Sequence, residues 1–121
     1  MYDGPASGRA AIAVREAHAR LGTPYRWGAS GPDRFDCSGL TSWVWRKAGV
    51  SLPHSSRAQY AGGRKVSQSQ VQPGDLVFFG SPIHHVGIYV GGGNMISAPH
   101  TGDVVEVQPA FRSDDVGAVR P

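Results

Sequence analysis

The chain has 121 residues, 40% hydrophobic and 17% charged, enough for one compact core and too few for two. Its twelve Lys and Arg leave a net charge of +3 but cluster only at Arg46-Lys47 and Arg64-Lys65, which argues against a nucleic-acid binder built on a basic run interleaved with aromatics. No run of about 20 apolar residues could span a membrane, and a single cysteine excludes an internal disulfide.

Ser7 is placed to cap a helix over residues 8–21, where Ala10, Val14, Ala17 and Leu21 recur at helical spacing and define one apolar face. Gly22 and Pro24 stop it. Residues 25–35 read as a loop punctuated by Gly28, Gly31 and Pro32. A second helix is predicted over residues 38–48, with Leu40, Trp43, Val44 and Ala48 at helical spacing and Gly49 as terminator. A short third helix is predicted over residues 53–60, capped by Ser55 or Ser56. The period then changes. Residues 75–80 and 85–90 read as strands, Gly91-Gly-Gly-Asn94 as a hairpin, and residues 95–98 and 104–108 as two more strands. Helices first and an antiparallel meander second predict an α+β domain, with the helices packed on the C-terminal strands.

Residues 10–14 are too few, and too closely flanked by Arg9 and Arg15, to be a secretory leader. Residues 1–121 are therefore expected to be one domain of a longer protein. The basic surface has two readings, a solvated face or attraction to an anionic polymer.

The chemistry gathers around Cys37. Asp36-Cys37-Ser38-Gly39 stands at the start of the second helix, where unpaired backbone N–H groups and the helix dipole favour a thiolate. Ser38 and Gly39 are small and are expected to leave room for a carbonyl, with the Cys37 N–H placed to hold an oxyanion. Among the five histidines, His18 lies mid-helix, while His54 and His100 lie in loops. His85 opens a strand whose alternation puts His85, Gly87 and Tyr89 opposite the apolar Val86, Ile88 and Val90. His85 is thus expected to point away from the core along a strip kept clear by Gly87, as a general base for Cys37. A lone cysteine is also commonly a small buried hydrophobe, and a strand-end histidine commonly idle.

Tyr25-Arg-Trp-Gly28, Phe35-Asp-Cys-Ser-Gly-Leu40, Pro73-Gly-Asp-Leu-Val-Phe-Phe79 and His85-Val-Gly-Ile-Tyr-Val-Gly91 follow one another in that order. Together they resemble the NlpC-type family of bacterial cell-wall cysteine peptidases. Leu52-Pro53 with Ser55 and Ser56, and Ala98-Pro-His-Thr-Gly102, resemble its actinobacterial, mycobacterial-type branch. The resemblance implies a papain-like fold and hydrolysis of peptidoglycan stem peptides, usually at the D-γ-glutamyl–meso-diaminopimelate bond, in a secreted, wall-acting and monomeric protein. It implies Cys37 as nucleophile and His85 as base. Tyr25 would position substrate or oxyanion, and Asp36, Ser38 and Ser56 would hold the amino-terminal end of the substrate. The local alternative for these last three is helix capping. No metal or organic cofactor is implied.

The third catalytic position of the family, a polar residue orienting the base, falls on Ser97, whose hydroxyl is uncharged and short. His100, Glu106, a water or a backbone carbonyl are the substitutes. Two alternatives stand beside hydrolysis: a non-catalytic peptidoglycan-binding module, and an acyltransferase or amidase on the same scaffold. A metal site from Cys37, His84, His85 and His100 is disfavoured, because neighbouring strand residues point to opposite sides.

Overall fold

The computed structural model describes residues 8–121. Three helices come first: α1 Gly8–Ala19, α2 Cys37–Lys47 and α3 Ser56–Gly62. Six strands follow: β1 Arg64–Val66, β2 Leu76–Phe79, β3 His85–Gly91, β4 Asn94–Ser97, β5 Glu106–Pro109 and β6 Asp115–Arg120. They form one antiparallel sheet in the order β1-β6-β2-β3-β4-β5. The predicted meander is therefore β2 to β5, and the α+β class stands. Strands β1 and β6 add an edge that the alternation pattern did not announce. β6 carries Gly117 and an irregular register opposite Phe78 and Phe79, which breaks the period-2 signal.

Both faces of the sheet are buried. Leu76, Phe78, Val86, Ile88, Ile96 and Val119 face the helices and pack with Ala13, Ala17, Phe35, Leu40, Val44 and Trp45. Val77, Phe79, Tyr89, Met95 and Ala118 face a second cluster, closed by Val71, Ala110 and Phe111 from the segments before β2 and after β5. Burying aromatic and aliphatic side chains on both faces, at about 1.5–3 kcal/mol each, makes β2 and β3 the apolar centre of the fold.

α1 ends at Ala19, two residues before the predicted stop, and buries Ala13 and Ala17 while Leu21 is 41% exposed. Of the predicted stripe, Ala17 is buried and Ala10 and Val14 pack partly against the same cluster, whereas Leu21 lies past the helix end and Ala13 joins the buried face. The Ser7 cap lies outside the described residues. α2 begins one residue earlier than predicted, at Cys37, with Asp36 as its cap. Ser55, not Ser56, caps α3 by accepting the Ala58 N–H at 3.2 Å. Gln59 fastens α3 to α2: its Oε1 accepts from Thr41 Oγ1 at 2.7 Å, and its Nε2 donates to the Ser38 carbonyl at 3.1 Å.

Candidate active site

The segment before α2 decides where Cys37 sits. Tyr25 N–H donates to the Asp103 carbonyl at 2.9 Å, Arg26 N–H to Phe35 O at 3.1 Å and Asp36 N–H to Ala29 O at 2.8 Å. The loop is thus pinned to the turn before β5 on one side and to the start of α2 on the other. Asp36 completes the clamp: Oδ1 accepts the Gly39 N–H and Oδ2 the Gly28 N–H, at 2.7 and 2.9 Å. Oδ1 also meets His54 Nε2 at 2.7 Å. A carboxylate with these partners is a helix cap first, and it still borders the cleft.

Gly39 has a different reason from the one predicted. A Cβ there would stand 2.0 Å from the Ala29 carbonyl oxygen, so the missing side chain admits backbone, not substrate. The strip beside Gly87 is likewise filled: a Cβ on Gly87 would meet Met95 Sδ at 2.4 Å. These two corrections share a cause. Glycine on a packed element marks close approach of another chain segment, and sequence does not say which segment comes.

Tyr25, Asp36, Cys37, Ser38 and Ser56 line one cleft of about 560 Å3, together with Trp27, His54, Arg57, Ile83, His84 and Pro99. Five of the seven residues singled out from sequence are therefore brought together. Three backbone N–H groups, of Val86, Ser38 and Cys37 itself, point at the Cys37 thiol and favour its anion. Burial outweighs them, and with the nearby Asp36 charge it pushes the thiol above its ordinary pKa. The expected depression by the helix start is thus reversed, because removing a charge from water costs more than these amides return.

His85 and Ser97 are not among the cleft-lining residues. His85 opens β3 immediately before Val86, whose amide faces the Cys37 thiol. It does point away from the helix-side core, as predicted, but onto the second apolar cluster, with its ring 5.7 Å from that of Phe79. Burial, followed by the charges of Arg112 and His84, lowers its pKa to about 4. Its Nε2 is buried without a partner among the described residues. Ser97 is also buried, and its hydroxyl donates to Gln108 Oε1 at 2.8 Å. His100 pairs with Asp103 at 2.9 Å on the surface, and Glu106 is the register partner of Ser97 on β5. Among the described residues, no group of three or more His, Cys, Asp or Glu is arranged to hold a metal ion.

The phenol of Tyr25 is raised above its ordinary pKa by burial and by the Cys37 and Asp36 charges, which keeps it an O–H donor beside Cys37. Sequence reasoning missed His54, Arg57 and His84 as cleft residues. His54 and Arg57 flank the cap of α3 and His84 precedes β3, so only the docking of α3 beside the entry to β3 makes them neighbours. Trp27, 83% exposed at the rim, was visible only as part of a motif.

A helix layer on an antiparallel sheet, with a cysteine at the front of the central helix and a histidine opening the adjacent strand, is the papain-like α+β arrangement. The chain belongs to the NlpC/P60 family, whose model matches residues 22–114. It is 60% identical over 89 residues to "Probable endopeptidase p60" of Listeria grayi, covering 72% of this chain and 17% of that protein. It is 45% identical over 114 residues to "Probable endopeptidase Rv2190c" of Mycobacterium tuberculosis, covering 94% of this chain and 29% of that protein, in keeping with the mycobacterial likeness. The NlpC/p60 domain of the peptidoglycan hydrolase SagA superposes with a TM-score of 0.84 at 40% identity, covering 93% of this chain and 98% of that one. The chain thus spans less than a third of these two curated relatives.

Proposed function

We propose that this domain is a cysteine endopeptidase of peptidoglycan stem peptides, acting in an exported protein at the cell wall. The observation that carries the proposal is the seating of Cys37: a lone thiol bordering a cleft, with three backbone N–H groups aimed at it and Tyr25 beside it. The endopeptidase names of the two curated relatives support the reaction class, and the name of the peptidoglycan hydrolase SagA supports the substrate class. The bond proposed for cleavage joins D-γ-glutamate to meso-diaminopimelate.

With a raised thiol and a lowered imidazole, the resting pair is neutral rather than the thiolate–imidazolium pair of many cysteine peptidases. His85 takes the thiol proton as sulfur attacks the γ-glutamyl carbonyl, so proton transfer and bond formation are coupled. The Cys37 N–H and the Tyr25 hydroxyl donate to the oxyanion. The imidazolium then protonates the departing amine, and a water deprotonated by His85 hydrolyses the thioester, freeing the thiol.

Digestion of diaminopimelate-type wall by the parent protein should release peptide fragments with two new free ends, and Cys37→Ala should release none. Mass analysis identifies the bond. Equal digestion by Cys37→Ala would remove the cysteine mechanism, and a conjugate in place of free ends would make the domain a transferase. The protonation state has its own check. Alkylation of Cys37 by iodoacetamide should still accelerate as the pH passes 9, since the half-buried thiol ionises late. A rate that is already level below pH 7 would restore the ion pair.

A further inference from the structure

The walls of the cleft differ in charge. Asp36 is the only acid among its lining residues, and its oxygens are engaged by Gly28, Gly39 and His54. The opposing charge comes from Arg57, which is exposed in the cleft together with His84. Arg57 Nε donates to the Ile83 carbonyl at 3.1 Å. That bond uses one of five guanidinium donors and orients the plane of the group, leaving both terminal nitrogens for a ligand. His84 is the next residue after Ile83. Its backbone N–H is held by Phe79 O at 3.0 Å, and its ring lies over Gly80, where a Cβ would come within 2.2 Å of Cδ2. One short loop thus seats an imidazole and anchors a guanidinium beside the nucleophile, with no acidic side chain of the cleft paired to either.

We propose that Arg57, assisted by His84, is a carboxylate-recognition subsite that takes the free α-carboxylate of the γ-linked glutamyl residue at the scissile amide. This rests on the peptidase reading of the same cleft. A γ-linked glutamate uses its side-chain carboxyl in the amide bond and keeps its α-carboxylate ionised. A planar guanidinium fork accepts that group through paired N–H donors. A carboxamide at the same position presents one oxygen and an NH2 donor, and Arg has no acceptor to meet it. The subsite therefore makes the domain selective for non-amidated stem peptides.

The test separates binding from turnover. In the Cys37→Ala protein, calorimetric titration with an L-alanyl-D-γ-glutamyl-diaminopimelate tripeptide and with its α-carboxamide should show the carboxylate form binding at least about tenfold tighter, as expected for one charge-assisted contact. Adding Arg57→Gln should bring the ratio close to one, and Arg57→Lys should leave it between. An unchanged ratio in Arg57→Gln, or binding of neither peptide, would overturn the subsite. Hydrolysis of the same peptides by the protein with Cys37 intact is read separately. Turnover with an unchanged ratio removes the subsite and keeps the peptidase, whereas selective binding without turnover does the reverse.

Discussion

Gly39→Ala is expected to cost about 3 kcal/mol of stability and to take activity with it. The new methyl would stand 2.0 Å from Ala29 O and 2.8 Å from Asp36 Oδ1. Neither atom is free to yield. Ala29 O already accepts the Asp36 N–H, and Asp36 Oδ1 already accepts the Gly39 N–H and meets His54. Relief requires the loop over residues 25–36 to lift from α2, which moves Cys37 and Tyr25 together. Gly62→Ala is the matched control, since nothing lies within 4 Å of its Cβ position at the end of α3. It should be neutral or stabilise by up to about 1 kcal/mol. Thermal unfolding of the two variants decides the matter. A Gly39→Ala protein as stable as Gly62→Ala would show that the contact between loop and helix does not constrain Cys37.

The second large effect is acid destabilisation through His85. Its folded pKa of about 4 lies below the ordinary 6.5, so between these values the unfolded chain binds a proton that the folded protein refuses. Stability is therefore complete above about pH 6.5 and falls as the pH drops toward 4. The loss approaches 3 kcal/mol, about 1.4 kcal/mol for each pH unit of the shift. The cause is location. His85 lies against Phe79 with Arg112 and His84 contributing positive charge, and its Nε2 has no hydrogen-bond partner among the described residues. Urea unfolding from pH 7 to pH 4 should show the decline, and His85→Gln should flatten it. An equally steep decline in His85→Gln would assign the effect to other groups. With His85 as the proposed base, the same protonation should extinguish activity on the acid side near pH 4, where it acquires its proton before substrate arrives.

Much of the fold was readable from local pattern. The apolar spacing of Leu40 and Val44, the Ser55 cap and the glycine-rich turn after Val90 each carry their own signal, because capping and hairpin chemistry depend on residues a few positions apart. β1 and β6 were not readable. Their pairing joins residues 64–66 to residues 118–120, and nothing local to either segment specifies the other. The apolar stripe of α1 was read correctly at Ala10, Val14 and Ala17, but its end at Leu21 and the buried Ala13 were misjudged for a similar reason, since where the helix stops and which neighbour covers it are set by packing.

The same division runs through the site. Sequence alone determined the order of the family motifs, the cysteine at a helix start and the histidine at a strand start, because these are short-range arrangements of residue type. Tertiary structure decided the rest. Asp36 became a threefold acceptor, Gly39 a passage for Ala29, and Ser97 a donor to Gln108, each through a partner that only folding supplies. It also set the protonation of the pair. A helix start favours thiolate wherever it occurs, but whether sulfur ionises depends on how much water the surrounding chain removes, and that is a property of the packed molecule.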